Sequence, residues 1–216
     1  MGVDVQDAIH AGQKLGGSGL PPVTRNTRLP KVALSERPER SETGVWIGIF
    51  AIVMTFAALT SAMIVREGVA LDWQHFQLPK ILYLDTLILF FSSWTLETAL
   101  VKLKEGDDRF SEGMAWLGIT LALGGIFVAG QVIAWRVLAG QGLFLATNPS
   151  SSFFYVFTAA HALHLIGGIL GLAYLIYKLN RAGSAARTTG IRATSLYWHF
   201  MDGLWVYLFV LLLARM

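Results

Sequence analysis

His161 and His164 stand three residues apart in "TAAHALHLIGG", and His199 and Asp202 stand three apart in "YWHFMDGLWVYLFVLLL", residues 197–213. Both stretches are apolar enough to lie in a bilayer, where one ionisable side chain costs on the order of 2.5–3.5 kcal/mol on insertion scales. A spacing of three puts each pair on one helix face. Three chemistries fit such residues. A b-type haem in a membrane bundle takes an axial histidine from each of two facing helices, which this chain could supply, although two histidines three apart on one helix usually cannot both serve one haem. A proton or ion pathway could run through the histidines, Asp202 and the earlier intramembrane acids Asp85 and Glu97. In the third reading these groups are hydrogen-bonded glue between helices, worth about 0.6 kcal/mol per bond, in a subunit that packs against something larger. This structural reading leads, because pumps and transporters usually show repeats or broken helices. Here there is no internal repeat and no proline in any span.

The elements that position these residues follow from composition. The chain has 216 residues, 54% hydrophobic and 14% charged, whereas soluble domains run near 25% charged. It is an integral membrane protein. A hydrocarbon core about 30 Å thick needs roughly 20 apolar residues as helix, and five segments qualify: about 44–65, 81–101, 113–136, 153–177 and 196–214. The expected fold is an all-α bundle of five transmembrane helices; alternating ten-residue strands, the mark of a β-barrel, are absent. Residues 1–43 are polar, with "GGSG" and "LPP", and read as a largely disordered cytoplasmic tail. Within "GGILG", Gly167, Gly168 and Gly171 continue the His161 face and let a neighbouring helix approach closely.

Lysines and arginines number six in the tail, two in 66–80, three in 102–112, one in 136–152, four in 178–195 and one at Arg215. An N-inside orientation puts thirteen of them on the cytoplasmic side and four outside, so the positive-inside rule predicts a cytoplasmic N-terminus and a periplasmic C-terminus. That orientation places His199 and Asp202 two and five residues past Tyr197, roughly 3–8 Å deep at 1.5 Å per residue.

Other classes are excluded or weak. No cysteine is present, which removes disulfides, iron–sulfur clusters and thiol chemistry. Basic residues are spread rather than clustered, so nothing points to nucleic acid. No P-loop, dinucleotide fingerprint, HExxH or GxSxG occurs. Ser92, Ser93, Thr95 and Thr98 are expected to bond to the preceding turn or a neighbouring helix. Trp46, Trp73, Trp94, Trp116, Trp135 and Trp198 mostly lie toward span ends, as interfacial aromatics do.

The last span resembles a signature of subunit III of the haem–copper terminal oxidases. That family closes on a pattern similar to YWHFVDxxW, matched by Tyr197, Trp198, His199, Phe200, Asp202 and Trp205. Its preceding span resembles TGFHGxHVxxG, matched by Thr158, His161, His164 and Gly168. "GVWIGIFAIVMTFAAL" and "LDTLILFFSSWTLETA" resemble two earlier family segments, GMWxFxxSExxxFxAL and LNTxxLxxSSxTxxxA. The resemblance covers residues 44–216 and leaves the tail 1–43 uncovered.

The resemblance implies a bundle divided by a V-shaped, lipid-filled cleft, with bound phospholipids and no haem or copper of its own. It implies packing against the catalytic subunit I, which carries the haem and copper, with subunit II in the complex. The implied setting is the bacterial cytoplasmic membrane, where the complex reduces O₂ to water with electrons from cytochrome c or quinol and pumps protons. The third subunit would stabilise the catalytic one and support its proton uptake. The alternatives are a subunit III-like accessory protein of nitric oxide reductase, an independent haem protein, or a small transporter. Several family carboxylates are absent: Ala51 and Ile52 stand at the "SE", the acid before LNT falls near Lys80, and Ala134 stands where a glutamate usually follows the glutamine of "GQVIAW". Asp85 replaces the LNT asparagine.

Overall fold

The computed structural model describes residues 40–69, 71, 73, 75–105, 107–182 and 189–215. Nearly all of the polar stretch expected to be a tail lies outside the described residues; 40–43 belong to the first helix. Five helices follow in order: α1 (Arg40–Val69), α2 (Ile81–Lys104), α3 (Phe110–Gly140), α4 (Pro149–Ala182) and α5 (Thr189–Arg215), with a 3₁₀ turn at Asp107–Arg109 before α3. All five are long and apolar enough to cross a membrane, and no strand occurs among the described residues.

Each helix overruns the apolar run that predicts it. Lengths of 24 to 34 residues correspond to about 36–51 Å, more than a hydrocarbon core needs. The reason is backbone hydrogen bonding: a helix continues past the apolar core because ending inside it would leave orphan N–H and C=O groups in lipid. The largest extension is at α5, where "TGIRATS" is helical. Asp202 is the central residue of this 27-residue helix, about 20 Å from either helix end. The predicted basic loop 178–195 is mostly helix, with Lys178 and Arg181 on α4 and Arg192 on α5.

Local chemistry sets the ends that are capped. Pro149 opens α4, where its missing N–H is no loss. Asn148 caps it, its Oδ1 accepting from Ser151 N–H at 2.8 Å and from the Ser150 hydroxyl at 2.7 Å. α3 closes with Gly142 at φ +77°: Leu143 N–H reaches Leu138 O at 3.1 Å and Gly142 N–H reaches Ala139 O at 3.0 Å, the paired bonds of a Schellman close. Gly142→Ala is expected to lower stability by about 1 kcal/mol through the left-handed backbone alone, since nothing lies within 4 Å of the added carbon. Thermal unfolding in mild detergent checks this.

Contacts along the helices alternate in direction. Leu103 meets Gly113 and Asp85 meets Gly130 across α2 and α3; Tyr83 meets Phe209 and Trp198 meets Ser92 across α2 and α5. Both pairs run antiparallel, as do α3–α4 through Trp135 and Thr158. α1 lies parallel to α5, with Thr60 near Tyr207 and Glu67 near Arg215. Two apolar clusters fill the bundle. One, with Leu103, Leu117, Leu175 and Trp198, lies where α2 hands over to α3. The other, with Phe56, Phe127, Phe157 and Trp205, occupies the rest. The outer faces are also apolar, with Phe50, Leu87, Phe90, Leu163 and Val210 exposed, as lipid contact requires.

Candidate functional site

Thr86, Ser93 and Glu97, spaced seven and four apart, lie on the α2 face turned toward α5. From that face Ser93 donates its hydroxyl proton to Asp202 Oδ2. Its Oγ also lies 3.1 Å from His199 Nδ1, and His199 Nε2 lies 2.7 Å from Glu97 Oε1. Asp202, Ser93, His199 and Glu97 thus form one continuous hydrogen-bonded chain between two helices. With the serine proton committed to Asp202, Ser93 Oγ accepts from an Nδ1–H of the imidazole. Nε2 is then free to accept a proton from a Glu97 carboxyl or, in the imidazolium, to donate one to the carboxylate. Glu97 is the exposed end, its side chain 54% accessible, and His199 follows at 39%. At the inner end Asp202 Oδ1 is buried without a partner among the described residues.

The order serine, histidine, carboxylate has the connectivity of a hydrolytic triad, but the chemistry differs. A nucleophilic serine gives its proton to the histidine, whereas the Ser93 proton is directed to Asp202. Ser93 is also mid-helix, where backbone N–H groups are spent on the helix and cannot form an oxyanion hole.

The remaining predicted residues fall into three separate settings. His161 is fully buried, with Phe127 edge-on at 5.8 Å and Trp205 at 5.1 Å between ring centroids. Neither of its ring nitrogens has a hydrogen-bond partner among the described residues. Aromatic rings that close leave no space for a macrocycle against this imidazole. His164 instead bonds through Nδ1 to Ala160 O at 2.7 Å and packs on Phe56 at 6.0 Å. Among the described residues neither histidine side chain makes a hydrogen bond, ion pair or ring contact with Glu97, Ser93, His199 or Asp202. Among the described residues no group of three or more His, Asp or Glu is placed to hold a metal ion.

The other motif residues pin helices together. Tyr197 donates to His164 O at 2.9 Å and lies where a side-chain carbon on Gly168 would meet its ring at 3.0 Å. Trp205 donates to Thr86 Oγ1 at 3.1 Å, Trp135 to Thr158 Oγ1 at 2.9 Å, and Phe200 packs on the larger apolar cluster. Trp198 corrects the interfacial reading: it is 1% exposed and donates to Ser92 Oγ at 3.1 Å. Trp94 is exposed and meets Trp116 edge-on at 5.8 Å, as a membrane-surface pair would.

Asp85 forms a second polar site, on the α2 face turned to α3. It is buried and accepts from Gln131 Nε2 at 2.8 Å. Sequence reading singled out the acid but not this bond, because the facing register of α2 and α3 is not written in either helix alone. Asp85→Asn is expected to be tolerated within about 0.5 kcal/mol because a carbonyl still faces the Gln131 amide, whereas Asp85→Ala should cost about 1–3 kcal/mol by stranding that donor. Detergent melting curves of the two variants check the difference.

Residues 40–214 match the family described as cytochrome c oxidase subunit III. A curated relative, cytochrome c oxidase subunit 3 of Thermostichus vulcanus, is 34% identical over 82% of this chain and 88% of its own length. The subunit of the same name from Synechocystis sp. is 31% identical over 81% of this chain and 75% of its own length. Quinol oxidase subunit 3 of Bacillus subtilis is 28% identical over 85% of this chain and 91% of its own length.

Proposed function

Because the chain belongs to the cytochrome c oxidase subunit III family, we propose that it serves a bacterial haem–copper terminal oxidase as a non-catalytic subunit. In this role it stabilises the catalytic subunit and supports its proton uptake during O₂ reduction to water. Family membership makes it a haem–copper oxidase subunit III that associates with other oxidase subunits and sits in a membrane by several passes. The single observation that carries the finer reading is the Asp202–Ser93–His199–Glu97 chain: it ties the last helix to α2 through groups that exchange protons.

In this proposal subunit I is the main contact, subunit II completes the complex, and phospholipids line the outer faces. Haem and copper reside in subunit I. The membrane is the bacterial cytoplasmic membrane, and the thirteen-to-four distribution of basic residues supports a cytoplasmic N-terminus and a periplasmic C-terminus. A gentle-detergent pull-down with haem and copper analysis tests the role. Co-purification of an oxidase catalytic subunit is expected. A nitric oxide reductase catalytic subunit would replace the reading with its nearest rival, and a Soret band from this chain alone would replace it with a haem protein.

The absence of cysteine makes the orientation directly measurable. A cysteine placed at the exposed Gln141 is expected to react with an impermeant maleimide added from the periplasmic side, and one at the exposed Lys104 only after the membrane is opened. The reverse pattern would invert the topology.

A further inference from the structure

The hydrogen-bonded chain between α2 and α5 has a direction. At one end Glu97 lines a groove of about 300 Å³ that it shares with Trp94, Lys102, Glu105 and Arg109. These last three charged residues belong to the end of α2 and the turn that follows, where the bundle meets water. At the other end lies Asp202, the central residue of α5, with one carboxylate oxygen holding Ser93 and the other buried without a partner among the described residues. Between them every link is within hydrogen-bonding distance: Glu97 Oε1 to His199 Nε2 at 2.7 Å, His199 Nδ1 to Ser93 Oγ at 3.1 Å, and Ser93 Oγ to Asp202 Oδ2. A static tie between helices needs one such bond. Three in series, joining an exposed acid on the groove to a mid-helix acid through an imidazole bonded at both nitrogens, are the parts of a proton wire.

We propose that Glu97, His199, Ser93 and Asp202 form a proton relay that loads the Asp202 carboxylate from the groove at the end of α2. A proton taken from water by the Glu97 carboxylate passes to His199 Nε2, breaking the Glu97 O–H bond and forming N–H. The Nδ1–H proton moves to Ser93 Oγ as the serine releases its own proton to Asp202 Oδ2. The transfer leaves Glu97 ionised, Ser93 a hydroxyl, the imidazole neutral in its other tautomer and Asp202 a carboxylic acid. No electron moves, and no other reactant enters. In this second tautomer Nδ1 is free to accept and Nε2–H faces the Glu97 carboxylate, so the chain is already set for the reverse transfer, and the cluster holds one proton and exchanges it with the groove. The family carboxylates missing at Ala51, Ile52 and Ala134 have no part in this relay.

The relay deepens the proton-uptake role proposed above and rests on that reading for its use. Its test reads the Asp202 carboxyl itself, so failure of the relay would leave the subunit assignment standing. In the purified complex containing the full chain, infrared spectroscopy follows transfer from H₂O to D₂O; the carboxylic C=O band lost in Asp202→Asn is assigned to Asp202. Its exchange is expected to slow about 100-fold in Ser93→Ala, the low end of what a positioned proton-transfer group contributes. Ser93→Thr, which keeps the hydroxyl, should restore the rate, and Glu97→Gln should slow exchange with the inter-helix serine in place. A purely structural serine would show unchanged exchange in Ser93→Ala and Glu97→Gln, and that result overturns the relay. So does the lack of any Asp202 C=O band at every pH at which the complex stays intact. If Ser93→Ala fails to assemble, Glu97→Gln and Ser93→Thr decide.

Discussion

Replacing Trp198 with alanine is expected to destabilise the bundle by about 3–5 kcal/mol, the range for removing a buried large aromatic side chain. Trp198 is the largest buried side chain of the cluster that joins α2, α3, α4 and α5. Its ring tip lies 2.9 Å from where a side-chain carbon on Gly124 would sit, and its Cε3 lies 3.9 Å from the same point on Gly168. The two glycines are the sockets that admit the indole between α3 and α4. In a bilayer the loss is chiefly of packing, because lipid chains are as apolar as the core and give no solvent-driven return to burial. Ser92 loses its donor at the same time. Trp198→Phe keeps most of the ring and should cost about 1 kcal/mol, mainly the hydrogen bond. Chemical or thermal unfolding of the assembled complex in mild detergent separates the two, and equal, small effects would show that the indole is not the keystone of this end.

The second large effect is expected at Gly130. A carbon added there would stand 2.0 Å from Asp85 Oδ1 and 2.6 Å from Asp85 Cγ. The carboxylate cannot swing away without leaving Gln131, to which it is bonded at 2.8 Å inside the bundle. Gly130→Ala therefore either forces α2 and α3 apart, which costs about 1–3 kcal/mol as overpacking, or breaks a buried hydrogen bond at about 1–3 kcal/mol. We expect a loss near 3 kcal/mol and poor assembly. Gly125→Ala, with nothing within 4 Å of the new carbon, should be silent in the same helix. The double change Gly130→Ala, Asp85→Ala relieves the clash and should recover part of the loss. Non-additivity of that kind marks residues in contact.

How much of this was legible beforehand depends on range along the chain. The five helices follow from apolar runs alone, since a bilayer permits little else. Their ends do not, because α5 continues through Thr189–Ser195 on backbone hydrogen bonding rather than hydrophobicity. His199 and Asp202 stand out by type, for an ionisable group in an apolar run needs a partner. The partner itself, Ser93, was only one of five serine and threonine hydroxyls on its helix. Choosing it requires the rotation and register of α2 against α5, which neither helix sequence contains. Trp198 misleads for the same reason: its position near the start of an apolar run suits an interfacial anchor, and only the glycines facing it from α3 and α4 turn it inward.

α1 is held by Phe56 against Phe157 and His164, by Thr60 near Tyr207, and by Glu67 paired with Arg215. All of these neighbours lie on α4 and α5. During synthesis α1 leaves the ribosome before α2–α5 and must wait in lipid, as an independent span, while α2 and α3 close on each other, until α4 and α5 arrive to receive it. Of the five described helices, the one threaded earliest is locked in place last.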